Sequence, residues 1–387
     1  MAVKRRVAFM LELNWPLNRH IAVFEGTQRY AAERGNWECV VDEFADRTLP
    51  ASRRGQVPYD GIIARATTLL ARRAETWRIA VVNVWANSPA RNLPSVLPDV
   101  KAAGRLCAEH LLSRGFRRFA SVSRRDSAEI TQAQAFAEVV NRAGFPCDSI
   151  SLRSLHLDTP RGWRGMQQQI TTWMNGWSVP IAVLAGAEEL GRFVAQQCAA
   201  RGLRIPLDVA IIAGTNDLVF CEHPPPKLTS VDMGYERLGY EAARLLDGLM
   251  KRPAPRGQVK PMLLPPIGIV SRESSDFFAV EDEDVAAALR FIGENCHMLI
   301  DVNEVADAIH VSRPTLERRF RRHLGRPIAT EIRRLRVERA KRQLIDSSEP
   351  LKVIAREVGF ANVATMNAVF RRELGMSPGE YRRRTTL

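Results

Sequence analysis

The chain has little of what marks several common functional classes. Its six cysteines among 387 residues are Cys39, Cys107, Cys147, Cys198, Cys221 and Cys296, with no C-x-x-C pair. That scatter argues against a disulfide framework or a cysteine zinc site and reads as reduced thiols in a protein core. No apolar run reaches the roughly 18 residues a membrane helix needs. The basic start Lys4-Arg5-Arg6 leads into a short apolar run that already carries Glu12, which predicts a buried strand rather than a secretion signal and hence a cytoplasmic protein. G-x-S-x-G, the P-loop and a G-x-G-x-x-G after the first strand are missing, and the 7 His residues are dispersed. Those absences remove the motif-bearing routes to acyl transfer, nucleotide hydrolysis and dinucleotide binding. Asp42 and Glu43 are adjacent, so along a strand their carboxylates face opposite ways and cannot act as a pair. No catalytic residue, metal or cofactor is expected.

What is present is size and positive charge. A chain of 387 residues exceeds one ordinary core, so two or three domains are expected. The net charge of +13 is uneven: residues 285–387 hold 20 Lys+Arg against 12 Asp+Glu, net +8, and the rest of the chain carries only +5. A basic quarter of that kind suits a polyanion.

Through residue 275, apolar strand patterns alternate with helical ones. Strands are expected at Val7–Leu13, Trp37–Phe44, Gly61–Arg65, Ile79–Trp85, Phe119–Ser123, Ile181–Ala185, Val209–Ala213 and Thr229–Met233. Gly35, Gly115, Gly144 and Gly202 follow the intervening helical patterns, where a left-handed cap residue is wanted. The alternation predicts a parallel, doubly wound α/β domain, and such sheets bind ligands at the carboxyl ends of their strands. A linker is expected at 276–284, around the acidic run Glu281–Asp284. From Val285 onward every segment reads helical.

Within the basic region one plan occurs twice. In Val302–Gly325 a short amphipathic helix, a turn at His310-Val311-Ser312 and a second helix follow in order. Ser312 is a good N-cap, Pro314 is tolerated in the first turn, and Leu316 and Phe320 share a core-facing side. Leu351–Gly375 repeats this, with Asn362 as cap and Met366 and Phe370 facing inward. Phe320 and Phe370 are offset by 50 residues but Val311 and Phe360 by 49, so the second turn is one residue longer. Each unit is a helix-turn-helix pattern. Between them, Ile328–Asp346 would make a rod of roughly 28 Å. That is close to the ~34 Å between successive major-groove segments on one face of a duplex.

"VADAIHVSRPTLERRF", "IAREVGFANVATMNAVFRRELGMSPGEYRR" and their separation resemble the two-motif domain of AraC-family transcription regulators, which implies sequence-specific binding of double-stranded DNA. In the first recognition helix Arg313, Thr315, Glu317 and Arg318 are candidates for base edges, beside the cap Ser312. Arginine can bond guanine bidentately and Glu can accept from cytosine. Arg319, Arg321 and Arg322 are candidates for phosphates. In the second helix the family's base-facing positions fall on Asn362, Val363, Ala364, Asn367 and Ala368, with Arg371 toward the backbone. Valine and alanine can pack on a thymine methyl but cannot hydrogen-bond, so the first motif is expected to dominate specificity.

The preceding domain resembles the periplasmic-binding-protein-like sensors of LacI/GalR regulators in "RVAFMLELN", "YDGIIAR", "VLPDVKAAGRLCAEHLLSRGFRRFASVS" and "LTSVDMGYERLGYEAARLLDGLM". The resemblance implies a two-lobed sensor over 1–275, with lobe one at 1–115 and 228–262 and lobe two at 116–226 and 264–275. It further implies a small-molecule effector, a sugar of the xylose kind, held between the lobes. It implies a homodimer too, and RNA polymerase as partner if the protein activates. Matching positions give effector candidates at Asn14, Trp15, Arg19, Arg65, Asp99, Asn216 and Asp217, with His20 and Trp85 beside them. Aromatic faces suit sugar C–H surfaces and charged groups suit hydroxyls. The chain departs from the family at two strand ends. The usual Gly-x-Asp-Asn is Gly214-Thr215-Asn216-Asp217 here, and the usual Asn-Asp after the preceding strand is Glu188-Glu189. A sugar-processing enzyme or a sugar-binding protein on the same scaffold is the alternative.

Overall fold

The computed structural model describes residues 4–13, 18–52, 58–152, 159–252, 260–277, 279–280 and 282–385. The chain runs β1 (Arg5–Met10), α1 (Asn18–Arg34), β2 (Trp37–Val41), α2 (Ala45–Thr48), β3 (Gly61–Ala64), α3 (Thr68–Trp77), β4 (Ala80–Asn83) and β5 (Val96–Pro98). Next come α4 (Val100–Ser113), β6 (Phe119–Ser123), α5 (Ser127–Arg142), β7 (Cys147–Ser151), α6 (Pro160–Met174), β8 (Ile181–Ala185), α7 (Glu188–Ala200), β9 (Val209–Ala213) and α8 (Leu218–Glu222). They are followed by β10 (Thr229–Asp232), α9 (Tyr235–Lys251), β11 (Met262–Leu264), β12 (Gly268–Val270) and seven helices: α10 (Glu283–Asn295), α11 (Val302–Ala308), α12 (Arg313–Leu324), α13 (Ile328–Asp346), α14 (Leu351–Glu357), α15 (Val363–Leu374) and α16 (Pro378–Thr385).

The chain divides into two compact units. One comprises residues 1–102, 126–128 and 233–266, the other 103–125, 129–232 and 267–387. Apart from the short excursion of 126–128, the chain therefore passes between units after residues 102, 232 and 266, compared with the crossings expected near Gly115, Pro226 and Leu264. Residues 103–115, placed with lobe one on sequence grounds, group with the second unit.

The first unit holds a parallel sheet in the order β2-β1-β3-β4, with Ala8 paired to Val40 on one side and Ile62 on the other. Phe9, Ile62, Ile63 and Val82 have no exposed surface, as strands covered on both faces require. Helices α1 and α9 cross at close range. A Cβ on Gly26 would overlap the Glu236 carbonyl oxygen, and one on Gly239 would overlap that of Val23.

The second unit holds a six-stranded sheet, β12-β10-β9-β8-β6-β7. It is parallel except for β12, which runs antiparallel to β10. Its central strands β6, β8 and β9 coincide residue for residue with the expected ones, and all their side chains are buried. β7 was not anticipated: "CDSIS" lies at the sheet edge and is half polar, so it lacks the apolar signal of a covered strand.

The helical region of this unit has two small cores. Val285, Leu289, Val305, Leu316, Phe320 and Ile332 build the first. Val337, Leu344, Ile354, Met366 and Phe370 build the second. Helix α13 serves both, giving Ile328 and Ile332 to the first and Val337, Ala340 and Leu344 to the second.

Candidate nucleic-acid interface and effector pocket

In the first motif, α11 opens with a reciprocal cap. The Asp301 side chain accepts from the backbone of Asn303 and Glu304, while Glu304 accepts from the Asp301 amide. His310 takes a left-handed φ of 58° in the turn. Leu316 and Phe320 are fully buried, so the opposite side of α12 is presented outward. Ser312 occupies the N-cap position but makes no cap hydrogen bond; its hydroxyl donates to Thr315 Oγ1 at 2.9 Å. Arg313 donates to Glu317 at 3.0 Å and to Asn303 Oδ1 at 3.2 Å, which lays its guanidinium across the start of the helix. Arg318, Arg321 and Arg322 are exposed and carry no ion pair among the described residues. Arg319 points back instead and pairs with Asp284 and, at 3.5 Å, with Asp282. It pins α12 to the start of α10 rather than offering charge to a phosphate.

In the second motif Asn362 does cap, its Oδ1 accepting from Thr365 N at 2.8 Å. That leaves only its amide nitrogen for other contacts. Val363 and Asn367 are half-buried and Ala364 and Ala368 are exposed, giving the first half of α15 an uncharged outer face; Arg371, also exposed, lies in its last turn. Gly325 and Gly375 end the two recognition helices at φ +68° and +69°. The doubled offset is also literal: α11 and α14 are 49 residues apart, α12 and α15 are 50.

Two features lock the motifs together. Arg336, from the middle of α13, donates to the carbonyl oxygens of Cys296, Met298 and Ile300 at 2.9, 2.7 and 2.9 Å. Gly359, in the turn of the second motif, sits at φ +88° against the same loop, where a Cβ would overlap the Cys296 carbonyl. Nearby Glu331 has no exposed surface and is held by Arg334 at 2.6 Å and Arg326 at 2.9 Å. Burial opposes its ionised form, but the charges of Arg334 and then Arg326 outweigh it and keep the carboxyl below its ordinary value.

The effector candidates lie at strand ends. In the first unit the Glu43 carboxylate accepts the amides of Glu12 and Leu13 at 2.6 and 2.9 Å, and Glu12 takes φ 57°. The Glu12 carboxylate pairs with Arg65, whose guanidinium lies 4.7 Å from the centre of the Trp85 ring. Burial lowers the Arg65 pKa. Buried Asn83 fixes this corner, accepting from the amides of Ala66 and Trp85 at 3.2 and 3.1 Å and donating to Ser95 Oγ at 3.2 Å. His20 packs close by, its Nδ1 3.1 Å from the Glu12 carbonyl oxygen. Asp99 accepts from Ala102 N at 2.9 Å, so its carboxylate caps α4. Asn14 and Trp15 lie outside the described residues.

In the second unit, Thr215 gives both its amide and its hydroxyl to the Glu188 carboxylate, each at 2.6 Å. Glu188 is 2% exposed; burial pushes its carboxyl upward, opposed by the bonds from Thr215. The two departures from the sensor pattern therefore meet in space. Where a strand-end Asp is replaced by Thr, a Glu from the neighbouring strand end supplies the carboxylate. Arg124, after β6, holds Glu129 through its Nε at 2.8 Å and its Nη2 at 2.5 Å. Asn216 turns its Oδ1 to Ser230 and Arg272 at 2.8 and 3.0 Å. Asp217, nearly buried, caps α8.

Comparison with known proteins places both parts. Residues 108–275 match the model of a periplasmic binding protein-like domain, and residues 305–384 match that of a helix-turn-helix domain. Over 388 residues the chain is 26% identical to the Xylose operon regulatory protein of Haemophilus influenzae, covering 97% of this chain and 98% of that one. Over 102 residues it is 39% identical to a Putative AraC-like transcription regulator of Streptomyces antibioticus, covering 26% and 34% of the two chains. The chain is a DNA-binding transcription regulator that joins a periplasmic binding protein-like domain to a helix-turn-helix domain. Its fold also matches, over 100% of both chains, a xylose-binding transcription activator of known structure at 22% identity and TM-score 0.57. A complex of the regulator CelR with cellobiose matches 71% of this chain and 86% of its own at 20% identity and TM-score 0.54.

As a transcription regulator the protein is not an enzyme, and the alternative of a sugar-processing enzyme falls away. The recognition helices were legible because the motif fixes helix, turn and core positions together. Glu12, Glu43, Asn83, Arg124 and Glu129, which lie among or near the effector candidates, carry no local motif. Glu43 had been weighed only as half of a catalytic pair. It and Asp42 do face different partners: Asp42 accepts from Thr48 and Tyr59 hydroxyls at 2.5 and 2.8 Å.

Proposed function

We propose that this regulator is a sugar-responsive homodimer acting in the cytoplasm, with a pentose of the xylose class as effector. The observation that carries the reading is the doubled helix-turn-helix. Two recognition helices are fixed to one rod, one carrying exposed arginines and the other an alanine–valine face. Arg313, Thr315, Glu317 and Arg318 read base edges in the first major-groove segment. Val363, Ala364 and Asn367 pack in the second, and Arg322 and Arg371 meet phosphates. The effector candidates are Arg19, Arg65, Trp85 and Asp99 in the first unit and Asn216 and Asp217 in the second. The name Xylose operon regulatory protein of the relatives supports a xylose-like ligand, and the activator so described among the solved structures supports activation through RNA polymerase.

Full-length protein tests this against duplexes selected from a random pool. Phosphate neutralisation requires log K to fall with log salt by roughly 0.9 per phosphate contacted. A flat salt profile with no selected sequence rejects the interface. For the effector, a thermal-shift screen of pentoses and hexoses is decisive, because a ligand at 100 times its Kd adds about 2.7 kcal/mol to the folded state. D-xylose or a related pentose should raise Tm, and Arg65→Ala should abolish the rise. No shift with any sugar overturns the effector class.

A further inference from the structure

We propose that Arg326, assisted by Arg117, is the relay through which the DNA-binding helices and the C-terminal end of α4 sense one another. This rests on the reading of the chain as a DNA-binding regulator and adds the path of the coupling.

The last carbonyls of any helix lack intrahelical donors, and that end attracts positive charge. At the end of α4 the Leu111 and Leu112 carbonyls accept from the amides of Arg114 and Gly115, and the next two carbonyls are met by residues that follow the sheet. Arg326 Nη2, from the loop between α12 and α13, donates to the Ser113 carbonyl at 2.9 Å. The amide of Ala279, ahead of α10, donates to the Arg114 carbonyl at 2.8 Å. In return Arg117, just past α4, donates to the His323 carbonyl near the end of α12 at 3.1 Å. Each partner thus caps the other's helix. Along the same seam, Glu109 of α4 lies within electrostatic reach of Glu338, Lys341 and Arg334 of α13. Val280, which packs on the first helical core, lies against Gly115 in the same seam, but the bonds across it are made by charged and polar groups, as in interfaces that part and re-form.

Arg326 has the chemistry of a relay because its two partners belong to different structural elements. One edge of its guanidinium is on Ser113; Nε is also on the buried Glu331 at 2.9 Å. Glu331 is the first-turn acid of α13, the helix that carries both motifs. A movement of α4 is therefore transmitted to the root of the rod. Glu331 does not depend on Arg326 for its charge balance, since Arg334 also holds it at 2.6 Å. Without Arg326 that carboxylate would still keep one arginine partner, and the other bond of Arg326 is to α4. At its opposite end α4 is capped by Asp99, an effector candidate, so one helix of 14 residues has an effector candidate at its start and the relay at its end.

Coupling of this kind is reciprocal, so DNA alone can test it. Hydrogen exchange is measured on the full chain with and without a duplex selected from a random pool. In the native protein, duplex binding should change exchange of the Leu111–Phe116 amides severalfold. In Arg326→Ala, and separately in Arg117→Ala, that change should shrink to less than about twofold, while duplex Kd stays within about threefold. Arg117 is exposed, so its variant decides the matter if Arg326→Ala does not fold. The relay is overturned if duplex binding leaves these amides unaltered in the native protein, or if both variants respond as it does. Failure to select any duplex would instead remove the regulator reading beneath it.

Discussion

Gly359→Ala gives the sharpest test of how the two motifs are joined. Gly359 takes φ +88°, and an added Cβ would overlap the Cys296 carbonyl oxygen and come within 2.8 Å of both the Met298 carbonyl oxygen and Arg336 Nε. A non-glycine residue held in such a sparsely populated conformation costs about 1–3 kcal/mol. Relieving the overlap means moving the 296–300 loop, which receives three bonds from Arg336. Hydrogen bonds from a charged donor are worth about 1.5–3 kcal/mol each, and losing one is the least disruptive outcome. Together these give a loss of roughly 3–5 kcal/mol for the helical region, a large part of the ~5–15 kcal/mol of a typical domain. Urea unfolding of the full chain would show the helical region melting early. At temperatures where it remains folded, the second recognition helix should lose its fixed angle to the first. Affinity should then hardly change when the second half of a selected duplex is scrambled, whereas the native protein should lose affinity on that scrambling. If Gly359→Ala unfolds within about 1 kcal/mol of the native protein and still discriminates against the scrambled half, the rigid joining of the motifs through this corner is refuted.

Arg318→Ala should relax preference at particular base pairs by about 1–3 kcal/mol, while Arg322→Ala should weaken all duplexes alike and reduce the salt slope by about 1, as read by fluorescence anisotropy on selected and random DNA. Arg319→Ala should leave duplex affinity within about twofold and cost under ~1 kcal/mol in urea unfolding, because it is itself part-exposed and pairs with the part-exposed acids Asp282 and Asp284 at the start of α10; a tenfold loss of affinity would return it to the phosphate-binding set. His20 is held down to about 4 by burial, with the charge of Arg19 adding to the effect and Glu43 opposing it. The unfolded chain binds that proton near pH 6.5. Stability contributed by neutral His20 is therefore complete above about pH 6.5 and lost as pH falls toward 4, by up to about 3 kcal/mol. His20→Gln should flatten that part of the stability–pH curve, and an unchanged curve would show that the ring titrates normally.

Much of this was legible in the residues themselves. Strands buried on both faces announce themselves as continuous apolar runs, which is why β6, β8 and β9 were placed to the residue. Edge strands β2 and β7 need only one covered side, so β2 ended earlier than its apolar pattern and β7 escaped notice. The helix-turn-helix units were readable because a turn of fixed length, a cap and two core side chains must occur together for the hairpin to close. The pocket was much less so. Asn216 and Asp217 stand at the expected positions, yet their side chains serve Ser230, Arg272 and the start of α8, and the neighbouring carboxylate is that of Glu188, from a different strand end.

The sequence by itself determined the two folds, the doubling of the DNA-binding unit, its basic charge and the inequality of its two reading faces. Those properties depend on residues close together in the chain, where periodicity and turn chemistry act. Only the tertiary structure decided which arginines stay exposed without an ion pair among the described residues and which are engaged by other parts of the protein. Arg319, Arg326 and Arg336 look like their neighbours in the sequence, but each finds its partner among carboxylates or carbonyls 35 to 213 residues away. A guanidinium bonds whatever acceptor the fold brings within reach, and no local pattern records that choice.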